Sequence, residues 1–169
     1  MAQDNARLFV AKYLPAAKNI EKKTGLHHIA ILTQSALESS WGINAPGNMF
    51  FGVKWTGKGD KQLITTTEYS TYPNLKFPEI LSITPVFLNG RNLYKYKVKD
   101  WFRKFATPEE SFEHHYNFLA TNPRYKKALE VRQDYNRFFE EIAKAGYATA
   151  PDYADTLKAV AKSVIKRLP

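Results

Sequence analysis

The chain contains no cysteine in its 169 residues. That excludes disulfides, a thiolate nucleophile and cysteine-ligated zinc. No run of about 18 apolar residues occurs, so no membrane-spanning helix is expected. The opening MAQDNARLFVAKYLP lacks the basic start, apolar stretch and small-residue cleavage site of a signal peptide, which leaves export without such a signal, a signal already removed, or a protein that stays in the cell. HExxH is missing, since FEHHYNF carries the letters in another order. No GxSxG anchors a serine nucleophile, and GKGDK lacks the spacing of a phosphate-binding loop. Acids are scarce: 16 Asp and Glu stand against 25 Lys and Arg, a net charge of +9. Such a balance favours a polyanionic partner, whether nucleic acid, anionic lipid or wall polymer. Scattered lysine is also what an ordinary solvated surface looks like.

What is present is a folded chain. Aromatics make up 14% of it, too many for a disordered segment, and the length suits one domain spanning 1–169. Residues 4 to 23 read as a helix, kinked or broken near Pro15 and stopped at Gly25. Residues 27 to 40 read as a mostly buried second helix ending near Gly42. From 43 to about 105 the pattern changes to glycine, turn residues and β-branched alternation. QLITTTEYSTY reads as a strand. Asn89-Gly90 between SITPVFL and RNLYKYKV signals a hairpin, and DWFRKF reads as a further short strand. Helix returns at TPEESFEHHYNFLA, with Thr107 as cap, Pro108 in the first turn and Glu110 completing a capping box. Phe112, Tyr116 and Leu119 share its inward face. Asp134 caps another helix with Phe138, Phe139 and Ile142 inward and Gly146 as stop. The last helix, from about 152 to 167, turns Tyr153, Leu157, Val160 and Val164 to one face. The class is α+β, mainly α, with a β-lobe insertion at about 43–105.

Chemistry has few candidates. In ILTQSALESSWG a single acid, Glu38, sits among Ile29, Ile31, Leu32, Ala36, Leu37 and Trp41. A carboxyl in an apolar pocket holds its proton to higher pH and can donate it to a leaving oxygen. The residues alone leave open a plain surface glutamate. Glu68 in ITTTEYS shares a strand face with Thr66 and Ser70, opposite Thr65, Thr67 and Tyr69; an exposed strand carboxylate is the alternative. Glu79 is a third acid, in a weaker context after proline. Glycoside hydrolysis commonly needs two carboxylates, so the pair matters more than either member. His27-His28 and His114-His115 are adjacent pairs. Helical neighbours point about 100° apart, so neither pair is expected to hold a metal. NLYKYKVKDWFRKF interleaves bases with aromatics, as single-stranded nucleic acid sites do, but an amphipathic hairpin is the simpler reading.

Several stretches together resemble a known family. YLPAAKNIEKKTGLHHIAILTQSALESSWG is similar to the opening of bacterial glucosaminidases of glycoside hydrolase family 73, with its Q-x-A-L-E-S-x-W-G. FFGVK resembles the family's N-x-F-G-[IV]-K element, and TTTEY a β-lobe motif of some members. FLATNPRYKKAL and AGYATAPDYADTL resemble its C-terminal signatures. The resemblance covers most of the chain, in order. It implies a lysozyme-like single domain with an α-lobe, a small β-lobe and a cleft between them. It implies hydrolysis of the β-1,4 bond between N-acetylglucosamine and N-acetylmuramic acid in peptidoglycan, without metal or cofactor. Residue by residue, Glu38 matches the general acid and Glu68 the second carboxylate. Tyr147 matches a tyrosine lining the cleft. Phe51 and Lys54 fall near where sugars bind, and Tyr69, beside Glu68, is counted among the substrate-binding residues.

The chain departs from the family pattern in places. Ala150 stands where Asp is usual, so any cap made by that Asp is in doubt. Met49 stands where Asn is common, with Asn48 placed to substitute through a shifted loop. The hairpin at Asn89-Gly90 is longer than in short members. The expected partners are peptidoglycan glycan strands and a cognate inhibitor protein seated in the cleft near Glu38; nucleic acid is not expected. The place of action is the bacterial wall, in the periplasm of the producing or a target cell, reached by non-classical export or phage lysis, as an antibacterial effector or a lysin would be. The rivals are a lytic transglycosylase or muramidase, and a wall-binding protein that has lost activity.

Overall fold

The computed structural model describes residues 4–169. The chain divides into two compact units: the chain up to Phe51 together with Phe105–Pro169, and Gly52–Lys104. The β-containing insertion thus begins at Gly52 and not at 43, because the loop after the second helix stays with the helical unit. Asn48 there donates its side-chain amide to the Phe105 carbonyl (3.1 Å), and the Phe105 amide donates to the Gly47 carbonyl (2.8 Å).

The helical unit contains α1 (Asn5–Thr24), α2 (His28–Ser39), α3 (Pro108–Thr121), α4 (Lys126–Glu130), α5 (Tyr135–Lys144) and α6 (Tyr153–Lys166). Asp4 caps α1 by accepting from the Arg7 amide. Of the kink or break expected near Pro15, the break does not occur: the helix is continuous from Asn5 to Thr24. Proline removes one backbone bond, but Leu14, Ala16 and Ala17 beside it are all buried, and their packing holds the turn. Gly25 ends α1 in the left-handed region at φ 78°, its N–H bonded to the Glu21 carbonyl; glycine adopts that conformation without a Cβ clash.

α2 is the central helix, with nine of its twelve residues buried, from Ile29 through Ala36 and again at Ser39. Burying each large aliphatic side chain contributes about 1.5–3 kcal/mol. α3 starts at Thr107, whose hydroxyl accepts from the Glu110 amide (3.2 Å). Glu110 reaches back one residue further than a capping box requires, to the Ala106 amide (2.9 Å). Ser111, Phe112, His115 and Leu119 are its buried residues; Tyr116 is only half-buried, so His115 takes the inward place expected of Tyr116. On α6 the buried set is Tyr153, Leu157, Ala161 and Val164, with the smaller Ala161 replacing the expected Val160. α5 buries Phe138, Phe139 and Ile142 below an Asp134 cap, as the sequence indicated. No helix among the described residues is long and apolar enough to cross a membrane.

The second unit is a three-stranded antiparallel sheet of β1 (Lys61–Ser70), β2 (Glu79–Leu88) and β3 (Arg91–Arg103), in the order β1-β3-β2. Asn89 and Gly90, both at positive φ, make the two-residue turn between β2 and β3 that such a dipeptide favours. DWFRKF is not a separate strand. Its first four residues continue β3, where Asp100 to Arg103 stay in register with Ile64 to Lys61, and no turn residue interrupts the run. The loop 71–78 is tied to the sheet by Tyr96, whose hydroxyl donates to the Tyr72 carbonyl (2.5 Å) and accepts from the Leu75 amide (3.3 Å).

Candidate active site

Glu38 lies in the last turn of α2. Directly after it the backbone turns left-handed for three residues, Ser40, Trp41 and Gly42, at φ 50°, 57° and 80°. Only the last is a glycine, and two non-glycine residues in that region store strain of about 1–3 kcal/mol each. A local network holds the turn. The Ser39 hydroxyl donates to the Ser35 carbonyl (2.5 Å) and accepts from the Gly42 amide (2.9 Å), while the Trp41 amide donates to the Ala36 carbonyl (2.8 Å). The helix therefore stops abruptly with its acid at the rim.

Glu38 as a residue reaches solvent, yet protein atoms crowd its carboxyl. Burial pushes the Glu38 pKa above the ordinary carboxylate value, and a hydrogen bond from Tyr153 pulls the other way without winning. The Tyr153 hydroxyl donates to Glu38 Oε1 at 3.4 Å, a long bond. Burial also raises the Tyr153 and Tyr147 phenols, and the nearby Glu38 carboxylate adds to that effect. Both hydroxyls consequently stay protonated as donors.

From Glu38 a line of rings runs through the helical unit. Tyr153 stacks on Tyr147 (centroids 5.7 Å, planes 25° apart). Tyr147 meets His115 edge-on (6.0 Å), and His115 stacks on Phe51 (3.8 Å, 5°). Glu38, Tyr147 and Phe51, three candidates from separate motifs, are thus gathered in one unit. Phe51 is only 7% exposed, so its ring braces His115 instead of presenting a free face to a sugar.

Sequence reasoning missed Tyr153, Gln34 and His115 as parts of this site. His115 is buried, and desolvation, with His114 adding to it, lowers its pKa to about 3. The ring is neutral at any working pH, and its Nε2–H donates to Gln34 Oε1 at 3.0 Å. The Gln34 amide forms no well-shaped bond through its nitrogen, yet it faces the Tyr153 hydroxyl closely enough to oppose the effect of burial there. Gln34 and Glu38 are four residues apart on one helix face. That spacing in Q-S-A-L-E was the available signal.

In the sheet unit, Glu68 is half-buried on β1. Lys54 donates to Glu68 Oε1 at 2.6 Å and to Asp100 Oδ2 at 3.0 Å. Burial works against the charge of Lys54, but its bonds to Glu68 and then Asp100 outweigh that and raise its pKa. Lys54 is therefore an ion-pair partner of Glu68, and its ammonium also lies 5.4 Å from the centre of the Phe102 ring. Tyr69 falls on the opposite sheet face from Glu68, since strand neighbours alternate, and is half exposed at 49%. The structure does not bring Tyr69 together with Glu68. Glu79, paired with Lys99 at 3.6 Å, shares that opposite face by register.

The histidines correct one expectation. His27 is not in the helix but is its N-cap, with extended backbone at φ −58°, ψ 134°. The His27 and His28 rings therefore stack (4.5 Å, 22°) instead of pointing apart, and with Glu21 they bring three potential ligand atoms within 4.8 Å of one another. Their polar atoms already join α1 to α2. Glu21 Oε1 accepts from the His28 amide (3.1 Å) and contacts its Nδ1 (2.6 Å), and His27 Nδ1 accepts from the Ile29 amide (3.1 Å).

Comparison with known proteins bears on this arrangement. A family model described as mannosyl-glycoprotein endo-β-N-acetylglucosaminidase, under the heading Glucosaminidase, matches residues 14–166. A peptidoglycan hydrolase FlgJ of Vibrio cholerae is 34% identical over 162 residues, covering 90% of this chain and 42% of that protein. An exo-glucosaminidase LytG of Bacillus subtilis is 26% identical, covering 93% and 51%. The chain thus spans about half or less of the length of these relatives. Among solved structures, the glycoside hydrolase domain of Salmonella typhimurium FlgJ, in a C-terminally truncated form, superposes with a TM-score of 0.70 at 28% identity, covering 97% of this chain and 99% of that one.

Proposed function

The chain belongs to the glucosaminidase family of glycoside hydrolases, and from that membership we propose that it cleaves the β-1,4 bond between N-acetylglucosamine and N-acetylmuramic acid in peptidoglycan. The observation that carries the reading is Glu38: one carboxyl at the strained end of a buried helix, with its pKa raised by burial and phenol donors around it. Such a group keeps its proton to higher pH than an ordinary carboxyl and can give it to the leaving glycosidic oxygen. Tyr153 orients it. Tyr147 presents a protonated hydroxyl and an aromatic edge to the sugar.

Glu68 is the second carboxylate of the proposal. It activates water or stabilises the positive charge that develops on the sugar ring. Lys54, bound to it at 2.6 Å, fixes its position, and Asp100 shares that lysine.

Mass spectrometry of products from purified wall tests the bond assignment. New reducing ends on N-acetylglucosamine support it; a reducing or anhydro muramic acid end replaces it with muramidase or transglycosylase chemistry. Loss of turbidity-clearing activity by about 10²–10⁴ in Glu38→Gln, in a protein that still folds, separates an enzyme from a wall-binding protein. The proposal extends to the setting: as an antibacterial effector or phage lysin, this chain acts in a periplasm, and a producing cell guards its own wall with an inhibitor seated over Glu38. Expression directed to the periplasm is then toxic and cytoplasmic expression is not. Equal harmlessness in both compartments removes that extension.

A further inference from the structure

Strand alternation sorts the charges of the sheet by face. Glu68 and Asp100 lie on one face with Lys54 between them. The other face has Lys95, Lys97 and Lys99 in a row along the central strand β3. Their cross-strand neighbours on β1 are Tyr69, Thr67 and Thr65. On β2 they are Thr84, Ser82 and Glu79. Every one of these β1 and β2 neighbours is exposed, as are Lys95 and Lys97. Lys99 has Glu79 at 3.6 Å; among the described residues Lys95 and Lys97 take part in no ion pair.

That row has a cost. Side chains two apart on a strand stand about 7 Å from one another, and like charges at that distance repel. The central strand would carry the row more favourably if it alternated in sign, as cross-strand and same-face pairs prefer. A sheet face with unpaired ammonium groups flanked by hydroxyls and one exposed tyrosine is complementary to a chain of spaced carboxylates. The hydroxyls add hydrogen bonds that do not depend on charge.

We propose that this sheet face holds the carboxylate-bearing peptide stems of peptidoglycan, away from the bond being cut. The identity of the polymer rests on the activity proposed above; the face and its charge do not. Because it is the opposite face from Glu68, a stem held there does not compete with the catalytic carboxylate. Tyr69 then has a place as part of this retention surface, not of the centre that cuts the glycan.

Co-sedimentation of the full chain with purified sacculi tests the proposal, in the Glu38→Gln background so that the wall stays intact. Two further samples accompany it: sacculi whose carboxylates are blocked by carbodiimide coupling to an uncharged amine, and Lys18→Gln/Lys22→Gln, which removes the same charge from exposed positions on α1. Lys95→Gln/Lys97→Gln is expected to weaken binding about 10- to 30-fold at low salt. It should also flatten the salt dependence, while the α1 pair changes binding less than threefold. Blocking the carboxylates should remove the difference between the variant and its parent. An equal loss in both lysine pairs would overturn the proposal in favour of diffuse charge. A larger effect on duplex DNA or anionic vesicles than on sacculi would overturn it in favour of those partners. Thermal melting of each variant identifies a damaged fold, and Lys95→Arg/Lys97→Arg must then restore binding for the proposal to stand. Failure to release reducing sugar by the unmutated chain would defeat the activity reading and leave this measurement intact.

Discussion

Replacing Tyr153 by phenylalanine removes one oxygen and keeps the ring stacked on Tyr147. The lost group is the donor to Glu38 Oε1. A hydrogen bond to a carboxylate favours its charged form, so this bond lowers the Glu38 pKa while burial raises it. Without the bond, burial acts unopposed and the pKa rises further. A bond to a charged group is worth about 1.5–3 kcal/mol when well formed. At 3.4 Å it sits at the outer limit of hydrogen bonding, and about 0.5–1 kcal/mol is the reasonable share. Losing a bond of that size moves the Glu38 pKa upward, since one pKa unit corresponds to about 1.36 kcal/mol. A general acid works protonated, and the alkaline limb of kcat/KM against pH follows its ionisation in the free enzyme. That limb should move to higher pH in Tyr153→Phe. The assay is reducing-end release from solubilised glycan strands across pH 4 to 9. A limb that stays fixed or moves down would refute the argument, whatever happens to the maximal rate.

Three other outcomes follow from the same structure. Glu38→Gln should gain stability as well as lose activity. A carboxyl whose folded pKa is raised makes the fold less stable as pH climbs above its unfolded value of 4.5, and the amide removes that penalty; melting should show the variant ahead of the parent at pH 7 and level with it below pH 4. Glu68→Gln should lose activity while Glu79→Gln, on the far face of the sheet, should stay near wild type; the reverse result would reassign the second carboxylate to Glu79. The N-cap of α6, Asp152, makes no side-chain cap bond, and the Tyr153 amide donates only to the Ala150 carbonyl at 3.3 Å. Ala150→Asp should therefore stabilise the chain by about 0.5–1 kcal/mol in urea unfolding, and an unchanged midpoint would show that the new carboxylate does not reach the helix end.

The sequence by itself determined most of the elements, because their signals are local. Gly25, Thr107, Asp134 and Asn89-Gly90 act through backbone conformation and nearby hydrogen bonds, and each marks the boundary where it was expected. The alternation of ITTTEYS was enough to place Glu68 and Tyr69 on opposite faces. Glu38 stood out because no other acid interrupts its helix. Tertiary structure decided the rest. Pro15 in isolation reads as a kink or a break, yet the buried residues around it carry the helix through without a break, since packing outweighs one lost backbone bond. DWFRKF reads as a strand of its own, yet pairing with β1 makes it the end of a longer one. His27 and His28 diverge only if both are helical, and the cap geometry of His27 sets their rings parallel. The environment of Glu38 was beyond local reading: Tyr153 and His115 come from α6 and α3, more than seventy residues away along the chain. The pKa of an acid depends on what surrounds it in space, and only folding brings those rings and hydroxyls to it.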